Sequence, residues 1–169
     1  MIEMDNHKSK INTLKKNIKN KSFKIGVIGV GYVGIKLVLE FANKNFHVSC
    51  FDKDFTKLKK IKSGISPFSY IRNDQFNKVK KKITINSDFK KIPECDAIII
   101  CLPTPLKNNK PDLSQITETW SKIRKFIRRY QLIILESTTY PGTTEQIFVN
   151  NLKSNFKIDQ DIFLSYSPE

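Results

Sequence analysis

Apolar positions along this chain fall in short runs, and the spacing within each run switches between a strand-like and a helix-like period. Residues 1–22 are polar and rich in lysine and asparagine, with a weak Ile11/Leu14/Ile18 spacing. They predict a flexible basic extension that holds at most a marginal helix. The ordered domain is expected over residues 23–169. It opens with a short strand at Lys24–Ile28, a glycine turn, and a helix over 33–43. A second strand at His47–Phe51 follows, then a helix over 55–63 that ends at Gly64. A Ser-Pro loop leads to a helix from about Asn73 and a third strand at Ile83–Asn86.

Residues 96–102 are apolar after the first position, as a parallel strand buried on both faces requires. Residues 112–130 carry Leu113, Ile116, Trp120, Ile123 and Ile127 at helical spacing. A fifth strand over 132–135, a helix over 143–152 and a sixth strand over 161–164 complete the series. Strands alternating with helices imply right-handed βαβ crossovers and a parallel sheet. The expected class is therefore α/β, a Rossmann-type doubly wound parallel sheet of about six strands in the order 3-2-1-4-5-6.

Composition changes this picture little. A length of 169 residues suits one domain of ordinary size. The net charge of +14 invites a nucleic-acid or anionic-membrane partner. However, the first 24 residues hold seven lysines against Glu3 and Asp5, and the other basic residues are spread out. They are not interleaved with an aromatic stacking platform. Lys78, Lys80, Lys81 and Lys82 flank Phe76, Val79 and Ile83, which reads as a solvated face. Neither nucleic acid nor membrane is expected as a partner. No stretch approaches the roughly 20 apolar residues of a membrane span, and no secretory signal is visible, so a cytoplasmic location is expected. Cys50, Cys95 and Cys101 form no CxxC pair, and His7 and His47 stand alone, so no disulfide framework and no metal site are expected.

Four segments carry candidate chemistry. Gly29-Val30-Gly31-Tyr32-Val33-Gly34 is a GxGxxG that directly follows a strand and opens a helix. In that context the first glycine permits a tight turn, the second lets the backbone approach a pyrophosphate, and the third allows close helix–strand packing. The helix N-terminus adds N–H groups and a positive dipole end. Asp52 ends the second strand 18 residues beyond Gly34. A carboxylate there accepts hydrogen bonds from the adenosine ribose and repels a 2′-phosphate, which favours NAD over NADP, although Lys53 and Lys57 stand nearby. Pro103-Thr104-Pro105 follows the fourth strand, where two prolines stiffen a loop facing the ligand crevice. Glu136 to Glu145 follows the fifth strand, with Thr138 nearest the crevice and Thr143 or Thr144 suited to cap the next helix.

These segments resemble one family. Residues 26–34, Cys101-Leu-Pro-Thr-Pro-Leu106, Pro111-Asp-Leu-Ser114, Glu136-Ser-Thr-Thr-Tyr-Pro-Gly-Thr-Thr144 and Ser167-Pro-Glu169 occur in the same order in the N-terminal NAD-binding domain of the UDP-glucose/GDP-mannose dehydrogenases. The form of the Glu136 segment looks most like the branch that oxidises UDP-N-acetylhexosamines for surface polysaccharide synthesis. The resemblance runs from about Phe23 to the end. It implies two-step oxidation of a C6 alcohol to a uronate with two NAD, through a cysteine thioester. By position it implies that Gly29, Gly31, Tyr32, Val33 and Gly34 contact the pyrophosphate, with Asp52 on the ribose and Lys57 as a basic cofactor contact. Thr104 and Thr138 then fall near the nicotinamide. Thr138 also helps to position a catalytic water, and Glu169 takes part in acid/base or hydrolytic steps. Lys36 stands where the family usually has proline, and Gln146 where an acid is common; neither is expected to touch the chemistry. The family's catalytic cysteine, lysine and asparagine, its dimer-forming helix and its nucleotide-sugar domain have no counterpart in these residues. The chain alone is therefore expected to bind NAD without full turnover, and a UDP-sugar or a homodimer only with the C-terminal half. The alternative is a non-catalytic NAD-binding module that complements a separate catalytic half.

Overall fold

The computed structural model describes residues 2–152 and 156–167, with side chains described from residue 7. Six parallel strands form one sheet. In chain order the first four are β1 (Lys24–Ile28), β2 (His47–Phe51), β3 (Ile83–Asn86) and β4 (Ala97–Ile100). A two-residue hairpin, β5 (Leu106–Lys107) and β6 (Lys110–Pro111), precedes β7 (Gln131–Leu135) and β8 (Ile162–Tyr166). The sheet order is β3-β2-β1-β4-β7-β8, the doubly wound order expected from the sequence. In register, Val27 of β1 stands between Cys50 of β2 and Ile99 of β4.

Alternation along the strands builds a core on each face. Val27, Cys50, Ile83 and Ile99 pack with Ile35, Val38 and Phe76 beneath α2 (Tyr32–Asn43), α3 (Phe55–Lys62) and α4 (Asn73–Val79). Ile28, Ile98, Ile100 and Ile133 point to the other face and pack with Trp120 of α5 (Ser114–Ile123) and with Phe148. Every side chain of β4 is buried, as its unbroken apolar run requires.

Three elements depart from their expected form. Residues 2–19, expected within a flexible extension holding at most a marginal helix, form the 18-residue helix α1 (Ile2–Lys19). His7, Ile11 and Leu14 are half-buried along one side of it, Leu14 packs against the core, and Lys21 Nζ caps the Phe46 ring at 4.5 Å. The amphipathic stretch over 112–130 is helical only to Ile123, with a 3-10 turn at Arg124–Phe126. The chain then extends at Ile127, and Arg128 turns to donate to the Pro93 and Cys95 carbonyls and to Asp96. The expected helix over 143–152 forms over 143–149 and widens at Glu145–Val149, where the Asn150 N–H reaches back five residues to the Glu145 carbonyl. The β5–β6 hairpin escapes a periodicity reading because it is only two residues deep. Its Asn108 and Asn109 take φ of 52° and 58°, the paired left-handed conformation of a type I′ turn.

A buried polar knot fixes the N-terminal ends of β4 and β7. Gln131, fully buried, donates through Nε2 to the Ile92 and Cys95 carbonyls at 2.9 and 2.8 Å and accepts from the Arg128 N–H at 2.8 Å. Gln131→Leu keeps much of the volume but strands the Arg128 N–H and takes one of two donors from each carbonyl, leaving Ile92 with the Cys95 N–H and Cys95 with the Arg128 guanidinium. We expect it to cost about 2–4 kcal/mol, read as a lower midpoint in urea denaturation with an unchanged slope.

Candidate functional site

The site begins where β1 runs out. Gly29 has φ of +86°, and its N–H donates to the Phe51 carbonyl at 2.8 Å, so the turn is pinned to the end of β2. A Cβ on Gly29 would lie 2.4 Å from the Cys101 carbonyl oxygen, which means the turn is pressed against the end of β4. A Cβ on Gly34 would lie 2.1 Å from the Gly29 oxygen, so the first turn of α2 passes directly over the glycine turn. Gly31 is different. A Cβ there meets nothing within 4 Å, because this glycine faces open space. Gly31 is also the N-cap of α2, and no side chain caps the first turn. Backbone N–H groups therefore point into the crevice with room for a ligand to approach them.

Asp52 closes one end of this crevice. Its Oδ2 accepts from the Val30 N–H at 2.8 Å and from Lys57 Nζ at 3.0 Å, and its Oδ1 accepts from the Asp54 N–H at 2.9 Å. The carboxylate thus ties the glycine turn to the start of α3. Burial alone would raise its pKa. The Asp54 N–H, the Lys57 hydrogen bond and charge, and the Val30 N–H outweigh burial and hold it below its ordinary value. Asp52 is ionised at neutral pH.

The opposite wall comes from the ends of β4 and β7. Thr104 donates to the Thr138 carbonyl at 2.8 Å, joining the loops that follow the two strands. Ser137 is buried beneath them, accepts from the Leu102 N–H at 3.0 Å and donates to the Ile100 carbonyl. Tyr166 of β8 braces the next residue, its hydroxyl accepting from the Thr139 N–H at 3.1 Å. Ser137 lies within the Glu136–Thr144 motif without a role assigned to it, and Tyr166 lies in no motif. Only their places one residue from Thr138 and at the end of the last strand hint at these roles. Between the walls lies a cavity of about 300 Å³, lined by Gly31, Tyr32 and Val33 on one side and by Thr104, Glu136 and Thr138 on the other.

The structure thus gathers Gly29, Gly31, Tyr32, Val33, Gly34, Asp52, Lys57, Thr104 and Thr138 at the C-terminal edge of the sheet. Glu169 lies outside the described residues. Cys50 and Cys95 are buried, and burial pushes their thiols up to about 12 and about 11. They are core residues, not nucleophiles. Among the described residues no three His, Cys, Asp or Glu side chains form a metal-binding group, and no helix is long and apolar enough to cross a membrane.

Comparison with known sequences and folds gives this edge its family. The sequence profile of the UDP-glucose/GDP-mannose dehydrogenase family, NAD binding domain, matches residues 23–169. The chain belongs to this family. It is 31% identical over 152 residues to UDP-N-acetyl-D-glucosamine 6-dehydrogenase of Pseudomonas aeruginosa, a match covering 88% of this chain and 36% of that protein. It is 35% identical over 148 residues to protein CapL of Staphylococcus aureus, covering 86% and 34%. Among solved structures, a ternary complex of GDP-mannose dehydrogenase from Pseudomonas aeruginosa superposes with a TM-score of 0.79 at 26% identity, covering 86% of this chain and 36% of that one. UDP-D-ManNAc dehydrogenase from Pyrococcus horikoshii gives 0.78 at 28%, covering 87% and 36%. The chain spans about a third of the length of these relatives. In this family member the cleft presents an open glycine over uncapped N–H groups, with the Asp52 carboxylate closing one end.

Two outcomes follow for this domain. Gly34→Ala forces backbone against backbone at the Gly29 carbonyl, and we expect a loss of at least about 2 kcal/mol, read as a drop of several degrees in Tm. Asp52, with its folded pKa below its ordinary 3.8, contributes stability that is complete above that value and disappears as pH falls through the lowered one. The stability gap between the unmodified chain and Asp52→Asn should therefore be widest near neutral pH and close in acid, as read by denaturation from pH 7 to pH 2.

Proposed function

We propose that this chain supplies the cofactor-binding part of an NAD-dependent nucleotide-sugar 6-dehydrogenase of the cytoplasm, which oxidises the C6 alcohol of a UDP-N-acetylhexosamine to a uronate for surface polysaccharide precursors. One observation carries the reading: the open face of Gly31 looks across a 300 Å³ cavity at the Thr104–Thr138 pair, with Asp52 tied to the same turn. Similarity to dehydrogenases of UDP-N-acetylglucosamine and UDP-N-acetylmannosamine supports the substrate class.

In this reading the backbone at Gly29, Gly31, Tyr32, Val33 and Gly34 holds the pyrophosphate. Asp52 accepts from the adenosine ribose hydroxyls and opposes a 2′-phosphate. Lys57 keeps that carboxylate in place and meets the cofactor beside it. Thr104 and Thr138 border the nicotinamide end, and Thr138 helps to orient a water there. Glu169 is assigned to acid/base work near the substrate. Bound NAD supplies the hydride acceptor. The nucleophile and the sugar-binding groups belong to the family's remaining two thirds, so the 169 residues here bind NAD without completing an oxidation.

Isothermal titration calorimetry tests this. The folded chain should bind NAD, and bind NADP at least tenfold more weakly. Gly31→Ala should leave Tm unchanged yet weaken NAD about tenfold or more, because its methyl occupies the open face. Asp52→Ala should also cost about tenfold and narrow the NAD/NADP ratio. With NAD and UDP-N-acetylglucosamine no NADH should accumulate. A folded chain that binds neither dinucleotide would falsify the reading.

A further inference from the structure

The cavity carries the wrong charge for the ligand proposed for it. None of the described residues that line it is lysine or arginine, Glu136 stands in its wall, and Asp52 closes the adjoining end. Lys57 lies 3.0 Å from Asp52 Oδ2, so that pair adds little net charge. A dinucleotide brings two negative charges on its diphosphate, and a helix N-terminus offsets only about half a charge.

A cation is mounted on the rim. Lys36 sits one turn beyond Tyr32 on the same side of α2, with Nζ 3.9 Å from the centre of the Tyr32 ring. Tyr32 itself lines the cavity. Its ring also meets Tyr70 at 5.1 Å between centroids, and Tyr70 in turn meets Phe68 at 5.3 Å. Phe68 packs against the core, and Ser66 both accepts from the Phe68 N–H and donates to its carbonyl, which fixes the loop. Burial and then Tyr32 raise the Tyr70 phenol above its ordinary pKa, and the Lys36 charge acts against that rise. Tyr32 and Tyr70 stay 60% and 49% exposed. A Tyr32 ring held in place by Tyr70 restrains a lysine that would otherwise sample many rotamers.

We propose that Lys36, positioned by Tyr32 and Tyr70, is a further anion-recognition residue of the cleft, placing positive charge beside the cofactor's diphosphate. This rests on the NAD reading above. Within a Debye length in a largely aqueous setting, one charge acting on two phosphate charges is worth roughly fivefold in affinity at low salt.

The test measures Kd for NAD, ADP and adenosine by calorimetry at about 20 and about 200 mM NaCl, which brackets the range over which screening sets in. Lys36 is exposed, so its variants should keep the parent Tm. Lys36→Met should weaken NAD and ADP about fivefold at low salt and less at high salt, with adenosine unchanged. Lys36→Arg should restore binding, and Lys36→Glu should weaken ADP about 25-fold. Tyr70→Leu should reproduce part of the Lys36→Met effect. Equal losses for ADP and adenosine would make Lys36 merely structural and overturn the proposal. So would unaltered NAD and ADP binding in Lys36→Met, and in that case the NAD reading survives. If the unmodified folded chain binds neither NAD nor ADP, the cofactor reading fails first and takes this one with it.

Discussion

A missing pair of side chains sets the geometry of this domain. At Gly34 and at Gly29 a Cβ would lie 2.1 and 2.4 Å from a carbonyl oxygen, distances that no packing adjustment accommodates because both neighbours are backbone. With hydrogens there instead, α2 descends onto the seam between β1 and β4. Ile35 and Val38 then reach Val27 and Ile99, and the first-turn N–H groups of α2 face the crevice rather than solvent above it. Close packing and ligand access are one arrangement seen from two sides.

Asp52 makes that arrangement rigid before any ligand arrives. Both of its oxygens are engaged by protein donors, one of them the Val30 N–H inside the glycine turn. A carboxylate held this way is preorganised, so in the proposed NAD complex little conformational entropy is lost when ribose hydroxyls add to its remaining lone pairs. The cost is electrostatic. Lys57 compensates that fixed negative charge directly, and in the proposed complex Lys36 adds positive charge farther along the rim.

The sheet is legible in the sequence because its strands are short apolar runs set between turn residues, most plainly β4, which is buried throughout. Lys24–Ile28, His47–Phe51 and Ile83–Asn86 match their strands to the residue, and the glycine spacing with Asp52 locates the crevice. What is not legible depends on partners distant in sequence. Helical spacing over 112–130 ignores Arg128, which leaves the helix for carbonyls more than 30 residues away. The wide turn at Glu145–Val149 is a matter of hydrogen-bond register that residue types do not encode. Ser137 reads as one hydroxyl among several, yet it is the buried one that bonds β4. Lys36 reads as remote from the chemistry because sequence position says nothing about which ring a lysine covers.

The two ends of the sheet use polar groups in opposite ways. At the N-terminal ends, Gln131 and Asp96 are closed in by internal partners: Asp96 accepts from the Lys24 N–H and from Arg128, and Gln131 has its bonds met by Ile92, Cys95 and Arg128. Such groups stabilise the fold and have nothing left to offer a ligand. At the C-terminal ends, the N–H groups at the start of α2 have no side-chain cap, Thr138 is exposed, and Gly31 borders open space. Parallel strands put all their C-terminal ends on one edge, so every loop that leaves a strand delivers its polar groups to the same place. The knot at the closed end therefore does indirect work for the open one. By fixing the origins of β4 and β7 it fixes where, one strand length later, Thr104 and Thr138 meet.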